Sequence, residues 1–175
     1  YLYFGGAAPD TVPDRVWSGS DAGEFLGQSV AGAGDVNGDG RSDVLVGSPG
    51  ANVGFAIDAG SAALYLGAPV PPLAPAVTFP GSIPYAELGL CVAGVGDLNG
   101  DGFADFAVGV PGSPDAFIAG ALQVFGGRAT PLAAPDTVLA GEAQDDMFGR
   151  SACGPRHRDP RGTSDHLCRR AEASA

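Results

Sequence analysis

A repeat of about 60 residues runs through this chain and limits the fold more than any other feature of the sequence. Gly27, Gly89 and Gly149 mark successive units, and other landmarks keep their phase. Pro13, Pro75 and Pro135 each precede an apolar run that closes at Gly19, Gly81 and Gly141, always eight residues before the landmark glycine. Residues 29–35 answer residues 91–97, and residues 43–49 answer residues 105–111. Residues 63–67 are matched with residues 122–126, and residues 2–5 read as the same segment one unit earlier. The 29 Gly and 15 Pro among 175 residues would indicate low complexity if they were aperiodic, but here they punctuate runs of Val, Leu, Phe and Tyr.

Each unit offers four apolar runs of strand length bounded by Gly, Pro, Asn or Asp, and nothing between them has a helical period. The expected class is therefore all-β. Four short antiparallel strands repeated as a block describe a β-propeller blade, whereas the strands of a two-sheet sandwich would not recur in this way. The expected organisation is the end of a preceding blade over residues 1–12, one repeat over 13–74, a second over 75–134, and the start of a third over 135–175. Because the chain opens on the end of a strand, it is expected to be a partial propeller cut from a larger protein.

The residues that carry chemistry lie between the first two strands of each full unit. They are Asp35-Val36-Asn37-Gly38-Asp39-Gly40-Arg41-Ser42-Asp43 and Asp97-Leu98-Asn99-Gly100-Asp101-Gly102-Phe103-Ala104-Asp105. Oxygen-bearing side chains recur at positions 1, 3, 5 and 9, with glycines at 4 and 6 for the sharp turn. Hard cations take six to eight oxygens, so Asp35, Asn37, Asp39, Asp43 and the carbonyl of Arg41 make one expected calcium site. Asp97, Asn99, Asp101, Asp105 and the carbonyl of Phe103 make the second. Hairpin turn chemistry explains Asn-Gly and Asp-Gly. It does not explain an acid heading the apolar strand Val44-Leu45-Val46, which points to a neutralising partner. An EF-hand is excluded, since position 12 is Val46 or Val108 instead of a bidentate Glu.

With these loops, the pairs Leu26-Gly27, Leu88-Gly89 and Phe148-Gly149, and the triplets Gly47-Ser48-Pro49 and Gly109-Val110-Pro111, the chain resembles the FG-GAP repeats of integrin alpha-subunit propellers and their bacterial relatives. The resemblance implies a seven-bladed propeller whose calcium ions brace the hairpins on one face while loops on the opposite face bind partners. Those loops would be residues 49–59 and 111–119, with 19–25 and 81–88. Phe55 and Phe117 fall within them and are expected to pack against a neighbouring blade. The implied role is an extracellular, secreted or cell-surface module that binds a protein or glycan without catalysis. The competing role is an accessory propeller of a secreted enzyme such as a hydrolase.

Charge and composition narrow the partners. Residues 1–149 carry 17 acids against three Arg, while residues 150–175 carry three acids against six Arg. An acidic body repels phosphate backbones, so nucleic acid is not an expected partner. No apolar run reaches the 18 or so residues of a membrane helix. Cys91, Cys153 and Cys168 show neither disulfide nor zinc spacing. Both histidines lie beyond residue 149, so no Ser, His and Asp set can be assembled from the acidic body.

The pattern breaks in the third unit. Its loop reads His157, Asp159, Arg161, Gly162 and Asp165 at the corresponding places, and two lost carboxylates remove the expected calcium site. Where a strand should follow, residues 166–172 read His-Leu-Cys-Arg-Arg-Ala-Glu. With suitable codons, a one-base shift would turn them into Ile-Cys-Val-Gly-Ala-Pro-Lys, so a change of reading frame is the expectation for this aberrant tail, and the competing reading is divergence followed by a disordered basic end.

Overall fold

The computed structural model describes residues 1–3, 11–112, 118–143 and 147–151. The third acidic loop, the basic tail and Phe117 all lie outside them. The described residues form two four-stranded antiparallel sheets. The first comprises β1 (Ser29–Gly34), β2 (Asp43–Ser48), β3 (Ser61–Tyr65) and β4 (Val77–Pro80), in that order across the sheet. The second repeats it with β5 (Val92–Gly96), β6 (Asp105–Val110), β7 (Ala121–Phe125) and β8 (Thr137–Ala140). They are the meander sheets of two consecutive blades. Among the described residues the one helical element is a single 3-10 turn at Ala22–Glu24, started by Asp21, whose carboxylate accepts from the Gly23 amide.

The sheets run out of phase with the sequence period. Each sheet closes on a strand drawn from beyond the next landmark proline, so β4 lies past Pro75 and β8 past Pro135. The chain start follows the same plan: Leu2 bridges Arg15 antiparallel, at the places corresponding to Leu64 and Val77 in the first sheet.

Register corrects one part of the repeat alignment. Val44 pairs with Tyr65 and Phe106 pairs with Phe125, which makes Tyr65 the counterpart of Phe125 and Gly67 the counterpart of Gly127. Matching residues 63–67 with 122–126 is therefore one residue out. The doubled Gly126-Gly127 permits either choice, and spacing to the next proline decides it: Gly67 and Gly127 each precede theirs, Pro75 and Pro135, by eight residues.

Period-2 alternation divides the two faces of each sheet, although β8 is exposed along its whole length. In the first sheet, Leu45, Ala62, Leu64 and Phe79 turn toward the second sheet, while Val46, Ala63 and Tyr65 turn the other way. The layer between the sheets is dominated by three rings. Phe79 from β4 stands 5.4 Å from Phe106 and 4.6 Å from Phe125, and the latter two stack with centroids 4.9 Å apart. All three are about 1% exposed. Trp17 occupies the place in its unit that Phe79 occupies in the next. It packs on Tyr65 with a centroid separation of 4.4 Å and donates through Nε1 to the Pro72 carbonyl at 2.9 Å. Phe148 packs on the outer face of the second sheet against a cluster of Val95, Ala107 and Leu122. Trp17 and Phe79 thus wedge one unit onto the next in the same way, while Phe148, the counterpart of Leu26 and Leu88, packs from the third unit back onto the second.

The glycines of the Leu-Gly and Gly-x-Pro motifs belong to this wedge. The Gly27 amide donates to the Gly47 carbonyl, and a Cβ on Gly47 would lie 2.0 Å from the Gly89 carbonyl oxygen of the following unit. Gly109 meets the Gly149 carbonyl at the same 2.0 Å. One motif's glycine is where the next unit's backbone passes, which leaves no room for a side chain.

Phe79→Ala is expected to cost about 3–5 kcal/mol, since it empties the ring layer between the sheets. Urea unfolding followed by Trp17 fluorescence and by far-ultraviolet circular dichroism should show both probes shifting together, because the lost contacts are shared by the two sheets.

Candidate metal centre

Each acidic loop is a connection from the first to the second strand of its sheet, so both loops emerge at the same end of the strands. The two share one hydrogen-bonding scheme. At position 1, the Asp35 carboxylate accepts from the amides of Gly38, Asp39 and Gly40 at 2.8, 3.0 and 2.7 Å. Asp97 accepts from Gly100, Asp101 and Gly102 at 2.7, 3.1 and 2.9 Å. The position 3 amide oxygens of Asn37 and Asn99 accept from the amides of Asp39 and Asp101. Those aspartates in turn accept from the amides of Arg41 and Phe103. The turn needs a left-handed backbone at Gly38 and Gly40, with φ of 76° and 83°, and again at Gly100 and Gly102. Only glycine takes those angles without strain.

Position 9 behaves differently. Asp43 is fully buried, and its two oxygens accept from Val36 at the start of the loop and from Gly67 beyond β3, each at 2.8 Å. Asp105 repeats this with Leu98 and Gly127, also at 2.8 Å, and is 2% exposed. These amides are partners that reading the loop alone does not supply, because Gly67 and Gly127 lie more than 20 residues away. They provide part of the compensation that an acid at the head of an apolar strand requires. They do not provide all of it. Burial holds the Asp43 carboxyl above the usual carboxylate range; the amides of Gly67 and Val36 oppose that shift, and the nearby charges of Asp39 and Asp35 add to it.

All ten predicted ligand residues therefore lie in two matching loops. In this arrangement their carboxylates turn onto backbone amides, and among the described residues no three His, Cys, Asp or Glu side chains form a metal-holding group. The donor set nevertheless suits a hard cation. A carboxylate offers about four lone-pair sites, and Asp43 and Asp105 each use two of them on backbone amides. Three negative charges per loop are opposed in the first by the half-exposed Arg41, 3.9 Å from Asp39, and in the second by Phe103 at the same position, which brings no charge.

The loops also join the two blades. The Asp35 carbonyl accepts from Ala104 at 2.9 Å and the Val36 carbonyl accepts from Arg128 at 2.8 Å, so the first loop rests on the second sheet's loop and β7 exit. Ser29 Oγ makes a further tie to the Gly89 carbonyl at 2.7 Å, near the opposite end of the strands.

That opposite end carries the segments expected to meet partners. The Gly50 amide donates to the Glu24 carbonyl, Tyr85 to Ile57, and Glu87 to Asp58, so three connections form one surface. Phe55 does not pack against a blade there. Val53 and Ala56 exchange both backbone hydrogen bonds at 3.0 Å, closing a two-residue turn that leaves Phe55 at the tip, fully exposed.

Comparison with known proteins agrees with this geometry. Residues 26–66 and 92–125 match the FG-GAP repeat model. The chain carries FG-GAP repeats. It is similar to integrin alpha-PS2 of Drosophila melanogaster, 34% identical over 134 residues, covering 71% of this chain and 9% of that protein. Mouse integrin alpha-IIb is 37% identical over 130 residues, covering 69% of this chain and 12% of the relative. Human integrin alpha-7 is 35% identical over 155 residues, covering 85% and 12%. The chain thus spans about a tenth of the length of these relatives. No helix among the described residues is long and apolar enough to cross a membrane.

Asp43→Asn should destabilise the chain by about 1–3 kcal/mol in the presence of chelator, because an amide nitrogen then faces one of two buried N–H donors. Asp39→Asn, at an exposed position, should cost markedly less under the same conditions. Paired urea titrations in chelator measure the difference, and equal losses would remove the structural role from Asp43.

Proposed function

We propose that this chain is a calcium-binding, non-catalytic stretch of an extracellular or cell-surface propeller, and that its loops bind a protein or glycan ligand. The observation that carries the reading is the duplicated loop, in which two separate sequences of oxygen donors adopt one hydrogen-bonding scheme with their acids at the same places. Asp35, Asn37, Asp39, Asp43 and the carbonyl of Arg41 would hold one ion. Asp97, Asn99, Asp101, Asp105 and the carbonyl of Phe103 would hold the other. A divalent cation would offset the charges that remain after the backbone amides are counted, and it would fix the hairpin that seats one blade on the next. Calcium suits this set better than magnesium, which demands stricter octahedral geometry and keeps more of its water. Extracellular modules bind calcium at about 10⁻⁴ to 10⁻³ M, the range in which such a site would be filled outside cells.

Similarity to integrin alpha subunits supports adhesion-type binding as the role. So does the surface at the other end of the strands, where Phe25, Phe55, Ile57 and Ile83 are exposed on hydrogen-bonded connections. The ligand's identity is a matter of loop shape, since one fold hosts many functions.

Calorimetric titration with calcium chloride should register two sites, and Asp101→Ala should leave one. Calcium should also raise the midpoint of thermal unfolding relative to chelator, since a ligand bound only by the folded state stabilises it. Absence of heat together with an unchanged midpoint would refute the metal reading.

A further inference from the structure

The peptide group between Phe103 and Ala104 belongs to both acidic loops at once. Its carbonyl is the position 7 donor of the second loop. Its N–H, on Ala104, donates to the Asp35 carbonyl of the first loop at 2.9 Å. A peptide group is planar and stiff, so any rotation that re-aims the carbonyl re-aims the N–H with it. The next peptide group carries the connection further. The Asp35 carbonyl accepts that bond, and the N–H of the same group, on Val36, donates to Asp43 Oδ2 at 2.8 Å. Two rigid units and two hydrogen bonds thus link the position 7 carbonyl of the second loop to the position 9 carboxylate of the first.

The path has little slack. Val36 and Asp43 are fully buried, and Asp35, Phe103 and Ala104 are partly so. The Val36 carbonyl is itself held by the Arg128 amide at 2.8 Å. Alongside, the Phe103 ring closes on the Gly38 backbone, where a built Cβ would meet it at 2.6 Å, and a Cβ on Gly34 would lie 2.6 Å from that of Ala104. The Gly38 amide is one of the three that the Asp35 carboxylate accepts. Residues 103 and 104 of the second loop therefore touch the first loop at positions 1 and 4, and through Val36 they reach position 9. Every group on this path has its partner within the two described blades, so the path does not depend on what lies beyond either of them.

We propose that the two calcium sites are positively coupled, and that the Phe103-Ala104 and Asp35-Val36 peptide groups transmit the coupling. This inference rests on the calcium reading above and adds to it a sign and a route. The Phe103 carbonyl, once coordinated, would fix its peptide plane, and Ala104 would pass that constraint to Asp35 and, through Val36, to Asp43. Two donors of the first loop would then have less freedom left to lose when that loop takes its own ion, and the saving appears as tighter binding. Hydrogen bonds in series also polarise and strengthen one another in a partly buried setting, which tightens the same joints. Repulsion between two cations acts the other way, but between exposed loops it is screened by salt, with a Debye length of about 8 Å at about 0.15 M. Linkage makes the effect reciprocal, so each loop raises the affinity of the other by one common factor.

Calorimetric titration of the full 175-residue chain with calcium chloride, beside two single-site variants, reads the coupling. Asp39→Ala removes a donor from the first loop and Asp101→Ala removes its counterpart from the second, and Asp39 lies off the connecting path. The product of the two wild-type association constants should exceed the product of the two variants' constants by about fivefold or more, and that ratio is the coupling factor. Nuclear magnetic resonance of the Asp39→Ala protein reads the route. There the Val36 amide proton should shift in step with filling of the second site, although it lies in the loop that takes no ion. Asp39→Asn and Asp101→Asn, which keep an oxygen for the neighbouring amide, replace the alanine variants if those lose the wild-type circular dichroism. A ratio no greater than one, or a Val36 amide that stays in place while the second site fills, would overturn the coupling and leave calcium binding intact. A wild type that takes up no calcium would remove the metal reading and the coupling with it.

Discussion

A carboxylate without access to water, Asp43 in one sheet and Asp105 in the next, is held by two backbone amides from segments far apart in the chain. One amide opens the acidic loop and the other follows the third strand. The acid therefore fixes the loop against its own sheet before any contact with a neighbour is considered. A buried charge tethered on both oxygens is costly to misplace, since removing either donor leaves it partly uncompensated. This is why the loop presents its second residue at one defined place, where the Val36 carbonyl meets the Arg128 amide of the following sheet.

Cohesion between blades has two components that act at different depths. The ring layer of Phe79, Phe106 and Phe125 supplies apolar burial without directional demands. The glycine crossings and the carbonyls of Asp35 and Val36 supply position, because backbone meeting backbone tolerates neither a side chain nor a shift in register. The first component explains why Trp17 can stand where Phe79 stands one unit later: both bring a large aromatic face. The second explains why the motif glycines sit where they do. A metal ion in the acidic loops would add to the positioning component, since it would stiffen the segment that carries Val36.

Much of this was legible before any coordinates. Glycine and proline phase marked the units, alternating apolar residues marked the strands, and the spacing of acids around Gly38 and Gly100 marked the loops. Three things were not. The alignment of β3 with β7 was obscured by a doubled glycine, and cross-strand pairing fixed the choice that agrees with the spacing to Pro75 and Pro135. The partners of Asp43 came from a residue more than 20 positions away, so the loop alone made the acid look more isolated than it is. Phe55 looked like a packing residue by composition, but a two-residue turn between Val53 and Ala56 turned it outward.

The sequence by itself determined the repeat, the all-β class and the set of oxygen donors, because these depend on local periodicity and on which atoms each side chain owns. Tertiary structure decided which glycine meets which backbone, what satisfies the buried acids, and which copies of a repeated surface are covered. Those outcomes depend on contacts between units, and two equivalent stretches of sequence differ there only in what lies against them. Val36 and Leu98 occupy the same place in the same motif, and one is enclosed while the other faces solvent.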